Sequence, residues 1–389
     1  MNNTLLLIGN RWNKNMGDEL ILVGMLKYFL DWHPNRQSVQ VSKWTFREKD
    51  LEKYFYWKKP FRQFNKVIVP TSDKEFLENF LNQFFDENFI KEKIILVWEL
   101  PHGIRSLLKW ILKWRFFDIF YYFKVDAVSI WWWEIFTEEC WSWPLFFTIT
   151  ALPFLIKYFL FKIFRKKLYI YLFGWIQFPF RWFNKILVKF WILNADGIYL
   201  RDFESFEVVS RILYFNTKNY RIHWYFQQIK KIYFMFDHSY LLFSNKEDWK
   251  ILKYNSINEK DILLVNINPI GYRKFQKKVW NLLYKKNFGI LYYIPVNLLE
   301  DDKFYFLLKD KFKNVKIKKI LRHNDFRFFL ERIKDVKEWI VMRLHMFLLL
   351  AYLNKKIVVF RYQRKIMKIY YVIKILKNLT KMNPIIILK

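Results

Sequence analysis

The 389-residue sequence predicts an α/β protein of two successive Rossmann-like domains whose parallel sheets face a central cleft. Three observations carry that expectation. Short apolar runs of strand length alternate with amphipathic segments of helical period, as in a parallel sheet with crossover helices. The alternation is interrupted by the polar stretch SNKEDWKILKYNSINE at 244–259, after which it restarts. At 53% hydrophobic residues the chain is too apolar for disorder, and burial scaling favours two domains at this length. The expected boundaries are 1–243 for the first domain, 244–259 for a linker and 260–389 for the second.

In order along the chain, strands are expected at Thr4–Ile8, Lys66–Pro70, Lys93–Val97, Ala127–Ile130, Leu168–Phe173 and Gly197–Leu200. Amphipathic segments at Asp18–Asp31, Pro144–Phe164 and Glu204–Tyr214 supply helices between them. After the polar stretch, strands are expected at Ile262–Asn266, Gly289–Ile294, Val315–Ile317, Trp339–Met342 and Ile357–Phe360. An almost wholly apolar helix, Met346–Leu353, precedes the last of these and must be buried. Ligands of such sheets sit at the carboxyl ends of the strands.

Composition narrows the function. Cys140 is the only cysteine, which excludes an internal disulfide framework and a cysteine-based zinc cluster and fits a reducing compartment. The six histidines are scattered without ligand spacing, so no metal is expected. The opening Met-Asn-Asn runs straight into Thr4–Ile8 without a basic region or cleavage site, so no secretory signal is expected. A net charge of +32 attracts anions in general, whether nucleic acid, acidic headgroups or phosphorylated metabolites. AT-rich coding also enriches lysine together with Ile, Phe, Tyr and Asn. No zinc-finger, RNA-recognition or helix-turn-helix pattern is visible, so specific nucleic-acid binding is not expected. The longest uncharged stretch, Cys140–Ile156, spans 17 residues with two prolines and falls short of a membrane-crossing helix. Its aromatic and basic surroundings are compatible with peripheral attachment to an anionic membrane.

Four segments carry chemistry. In LLLIGNRWNKNMGDEL, residues 5–20, a strand ends at Gly9, a polar loop holding Asn10 and Trp12 follows, and a helix opens near Asp18 and Glu19. Such a helix start offers unpaired N–H groups to an anion or sugar, although an ordinary capped loop has the same signature. In Ser129-Ile130-Trp131-Trp132-Trp133-Glu134, three tryptophans follow a buried strand where the chain should turn tightly. In Ala195–Ser205, a strand ends in Arg201-Asp202, which places Arg201 at the carboxyl edge unless the two simply form a surface pair. In Met342-Arg343-Leu344-His345, a cation and an imidazole sit where a strand meets the buried helix. Lys365 lies one βα unit later, and three cation-capable groups on one rim suit a multiply charged anion.

The tryptophans need a further reading. Glycine numbers 8 and tryptophan 19, whereas average usage would give roughly 27 glycines. Three glycines at 131–133 would make immediate sense, because they let backbone approach a ligand closely. The expectation is that UGA encodes glycine in the source and has been written here as tryptophan. Reading codons 131 to 133 decides it, and UGG there overturns it.

Taken in order, these segments resemble the polysaccharide pyruvyl transferase family. The matching residues are Gly17-Asp18-Glu19, Trp131-Trp132-Trp133 in place of a glycine run, Phe173-Gly174-Trp175-Ile176-Gln177 in place of a glycine-rich turn, Ala195 to Ser205, and Arg343-Leu344-His345. Trp12, Trp131, Trp132, Trp133 and Trp175 all stand where that family has glycine. The resemblance implies a GT-B-like fold and transfer of a pyruvyl group from phosphoenolpyruvate to a sugar of a cell-surface polysaccharide or its lipid-linked precursor, with release of phosphate. No cofactor is implied beyond phosphoenolpyruvate as donor substrate. By similarity Arg343 and Lys365 bind the donor and Arg201 contributes to its binding. His345 is the general acid or phosphate contact, Asp18 and Glu19 shape the acceptor side or the first loop, and Asn10 is a substrate-binding residue. The implied location is cytoplasmic, at the inner face of the membrane. A nucleotide-sugar glycosyltransferase and a non-catalytic membrane-surface scaffold are the alternatives.

Overall fold

The computed structural model describes residues 3–8, 16–30, 64–99, 118–131, 161–164, 166–172, 189–200, 232–234, 260–286, 288–296, 298–320, 336–352, 357–360 and 385–388, with 209, 329, 333, 366 and 370 singly. The chain divides into two compact units, Met1–Trp12 with Leu26–Asp237 and Asn13–Met25 with His238–Lys389.

The first unit is built on a seven-stranded parallel sheet. Its strands are β1 (Thr4–Ile8), β2 (Lys66–Thr71), β3 (Ile94–Trp98), β4 (Ala127–Trp131), β5 (Lys167–Leu172), β6 (Gly197–Leu200) and β7 (Ile232–Phe234). Their spatial order is β3-β2-β1-β4-β5-β6-β7, the doubly wound order that reverses beside β1. Every residue of β1 is buried, as expected for a central parallel strand covered on both faces. Helix α1 (Met16–Phe29), whose residues up to Met25 group with the second unit, is strongly apolar, and Leu20 to Leu26 are all buried. Between β2 and β3 lie α2 (Lys74–Leu81) and α3 (Glu87–Lys93). Each starts on an aspartate cap: Asp73 accepts from Phe76 N–H at 3.1 Å and Asp86 from Phe89 N–H at 2.7 Å. A short helix, α4 (Ile119–Phe123), leads into β4. Gly197 opens β6 in close quarters, because a Cβ there would lie 3.0 Å from the Tyr169 ring.

The second unit repeats the plan with six parallel strands. They are β8 (Lys260–Asn266), β9 (Ile290–Tyr293), β10 (Lys316–Lys319), β11 (Val336–Val341), β12 (Ile357–Phe360) and β13 (Ile385–Leu388). The order β10-β9-β8-β11-β12-β13 reverses between β8 and β11. Helices α5 (Pro269–Tyr284), α6 (Leu298–Lys311) and α7 (Leu344–Tyr352) connect the strands. Val279 and Leu283 of α5 and Phe304 and Leu308 of α6 pack with Leu263 and Leu291 in one core. On α7, Leu344 and Met346 to Ala351 are buried, as the apolar run required.

The fold class read from the sequence is therefore present: two Rossmann-like units, each with a parallel sheet and crossover helices. Strands β1, β6 and β12 have the expected limits. The other expected strands are shifted by one to three residues at an end, and the last helix runs Leu344–Tyr352 rather than Met346–Leu353. Three further details bear on the site and the sheets. Trp131 is the last residue of β4, opposite Tyr171, rather than the first residue beyond the strand. Helix α1 starts at Met16, two residues earlier than expected. Strands β7 and β13 extend the sheets beyond the strands read from the sequence. The segments expected as helices at 204–214 and 144–164 lie outside the described residues except at 209 and 161–164, and the stretch 244–259 lies wholly outside them.

Candidate functional site

The carboxyl edge of the second sheet, at its reversal between β8 and β11, gathers the polar groups described most fully. Three strand ends are stitched together there by two buried side chains. Asn266, the last residue of β8, is fully buried. Its Oδ1 accepts from the Arg343 backbone N–H at 3.0 Å, and its Nδ2 donates to the Ile294 carbonyl at 2.7 Å. One amide thus holds the ends of β9 and β11 on either side of β8. Replacing Asn266 with alanine leaves a buried N–H and a buried carbonyl without these bonds. We expect a loss of roughly 2–4 kcal/mol in chemical denaturation, from two hydrogen bonds and their desolvation.

Asp301 is the second anchor. It sits in the first turn of α6 and is fully buried. Its Oδ2 accepts from Val296 N–H at 3.0 Å, and its Oδ1 lies 2.6 Å from Arg343 Nη2. The Arg343 side chain is only 17% exposed, so this ion pair is largely screened from solvent. The Tyr293 hydroxyl donates to the Asp301 carbonyl at 2.6 Å. Burial, and then the Asp301 charge, push the Tyr293 phenol well above its ordinary range, so it stays a neutral donor.

Two helices begin at this edge. Asn268 caps α5, accepting from Gly271 N–H at 3.0 Å, and Pro269 takes the first helical position, where its missing N–H costs nothing. Helix α7 begins at Leu344, directly after Arg343, and the Phe347 N–H closes onto the Arg343 carbonyl at 3.0 Å. His345 lies in the first turn of α7 and is half-buried. A guanidinium, an imidazole and two helix starts at one sheet edge form a setting for an anion.

The other residues singled out in the sequence stand as follows. Glu19 is buried in α1, one residue after Asp18, whose side chain lies outside the described set. Arg201 directly follows the end of β6, and Lys365 comes five residues after the end of β12; both lie outside the described residues. So do Asn10, Trp12, Trp132, Trp133 and Trp175, while Trp131 is described only as backbone of β4. The structure thus brings Arg343 and His345 together at one junction. Four other tryptophans have described settings. Trp191 and Trp339 are buried, Trp280 stacks on Phe304, and Trp98 carries Lys74 over its ring. Among the described residues no group of His, Cys, Asp or Glu could hold a metal ion, and no helix is long and apolar enough to cross a membrane.

Asn266 and Asp301 were not among the residues singled out from the sequence. Asn266 carries a usable signal, a polar residue closing an apolar strand just before Asn-Pro. Asp301, within Leu-Leu-Glu-Asp-Asp-Lys, reads as a solvated helix start and carries none.

Comparison with solved structures bears on the fold. The UDP-N-acetylglucosamine 2-epimerase of Rickettsia bellii superposes with a TM-score of 0.50 at 13% identity, covering 98% of this chain and 88% of that one. The fold is GT-B-like. The Methanocaldococcus jannaschii UDP-GlcNAc 2-epimerase in complex with UDP-GlcNAc and UDP matches at 0.47 and 12% identity, over 99% of this chain and 88% of its own. The S. aureus MnaA-UDP co-structure matches at 0.47 and 12%, over 93% and 80%. No protein-family model and no curated protein matches the sequence.

Proposed function

We propose that this GT-B-like chain is a glycan-modifying transferase that moves a pyruvyl group from phosphoenolpyruvate to a saccharide or lipid-linked saccharide. One observation carries the reading. Arg343 and His345, of the Arg-Leu-His segment shared with the pyruvyl transferase family, stand at the reversal of a parallel sheet, and two buried anchors fix the arginine there. In the reaction the methylene carbon of the donor takes a proton, C2 becomes electrophilic, and a sugar hydroxyl adds to it and loses its proton; the bond from C2 to the phosphate oxygen then breaks, phosphate departs, and a second hydroxyl of the sugar adds to C2 and loses its proton to close a ketal. The donor carries a carboxylate and a phosphate, so it calls for cations near both and for a group able to deliver a proton. Arg343, with Lys365 and Arg201, serves the charges; His345 serves the proton or the leaving phosphate. Asn10, Asp18 and Glu19 belong to the acceptor side.

The shared fold of an enzyme named for UDP-N-acetylglucosamine favours a second reading, a nucleotide-sugar enzyme. Incubation with phosphoenolpyruvate and lipid-linked saccharides separates the two. Saccharide-dependent phosphate release is the expected result, larger when glycine replaces Trp12, Trp131, Trp132, Trp133 and Trp175 together. Release of UDP from a UDP-sugar, with phosphoenolpyruvate inert, selects the second reading. Turnover of neither donor by the glycine-bearing protein overturns both and leaves the scaffold.

A further inference from the structure

Eight large hydrophobic side chains among the described residues are exposed, and six of them fall on three neighbouring approaches to the first sheet. Phe120, Tyr121 and Phe123 lie on α4, ahead of β4; Ile163 and Phe164 precede β5; Leu193 precedes β6. Strands β4, β5 and β6 are adjacent and parallel, so these approaches meet at the amino edge of the sheet. Direct contacts join them. The Phe123 and Phe164 rings meet edge to face at 5.0 Å, Lys167 N–H donates to the Asp126 carbonyl at 3.3 Å, and Lys162 Nζ lies 2.8 Å from Asp196 Oδ2. Phe120 is 59% exposed, Ile163 65%, Phe164 51% and Leu193 50%. Apolar residues scattered singly over a surface are ordinary; a joined set is a mark of an interaction face.

The same approaches carry lysines. Lys124 and Lys167 are exposed and Lys162 and Lys166 half-exposed. The two aspartates among them are engaged: Asp126 accepts from Thr4 N–H at 2.9 Å, and Asp196 holds Lys162. We propose that this amino-edge surface of the first unit docks on an anionic lipid bilayer. Aromatic and aliphatic side chains enter the headgroup boundary, while lysine stems run along them and leave their charges among the phosphates. Each lysine near an anionic surface adds about fivefold in affinity. The overall charge of +32 draws the protein towards the membrane from a distance. A second copy of the chain is a poorer occupant, because a twofold contact through this patch would set lysines against lysines. A bilayer bound here leaves the carboxyl ends of β4, β5 and β6 turned away from the lipid. This inference does not depend on pyruvyl transfer.

The test is co-sedimentation of the full chain with vesicles of phosphatidylcholine alone and with one third phosphatidylglycerol. Binding is expected only to the phosphatidylglycerol vesicles and weakens between 0.1 and 0.5 M NaCl. Two variants, F120S/F164S and K124Q/K166Q/K167Q, change only exposed or half-exposed side chains, and each lowers vesicle affinity at least about tenfold with unaltered thermal unfolding. Absence of binding by the unaltered protein overturns the proposal, as does binding that neither variant weakens. It is also overturned if sedimentation velocity shows a dimer that F120S/F164S turns into a monomer.

Discussion

Replacing Asp301 with alanine is expected to destabilise the second unit by about 3–5 kcal/mol, because it leaves the Arg343 guanidinium largely buried without the carboxylate that compensates it. The same change frees Val296 N–H from its acceptor, so the β9–α6 turn loosens along with the β11–α7 junction. Arg343→Ala is expected to cost a similar amount by leaving a fully buried carboxylate. The double substitution D301A/R343A is expected to cost much less than the sum of the two, since both charges leave together. Asp301→Asn keeps an acceptor for Val296 and lies between wild type and D301A. Guanidinium denaturation of the four variants reads the coupling directly. Additive losses would show that the two side chains do not form the pair seen in the structure.

His345→Ala is expected to lower phosphoenolpyruvate-dependent phosphate release by about 10²–10⁴-fold, the usual contribution of a positioned proton donor. Stability should hardly change, because His345 is half-buried in the first turn of α7 and alanine is the better helix former. The pair of measurements separates roles. Asp301 acts on folding and, through Arg343, on binding; His345 acts on turnover with the fold intact. A His345→Ala protein with full turnover removes the imidazole from the mechanism.

The sequence made the strands legible because central parallel strands are buried on both faces and appear as continuous apolar runs. Thr4–Ile8, Gly197–Leu200 and Ile357–Phe360 end at glycine, arginine or lysine boundaries that are visible without a structure. Ile232–Phe234 is only three residues long and sits in a longer aromatic stretch, where periodicity does not separate strand from helix. At the site, Arg343 and His345 were legible because they break an apolar pattern at a strand-to-helix junction. Asp301 was not, because its burial comes from a contact with a residue 42 positions away. Local pattern sees an acidic helix start there; only the tertiary fold makes it the partner of an arginine.

The strand order has a consequence for how the protein is made. In each sheet the strand that ends in the middle is synthesised first: β1 lies between β2 and β4, and β8 between β9 and β11. Thr4 N–H waits for Asp126, a carboxylate 122 residues further along the chain. At about 5–20 residues per second on the ribosome, roughly 6–25 s separate the emergence of β1 from that of β4. Throughout that interval β1, buried at every position in the folded protein, has an unpaired edge, close in sequence to the apolar helix α1. Chaperone capture of nascent chains stalled between β1 and β4, and release once β4 has emerged, is the expected cellular signature of placing the earliest strand at the centre.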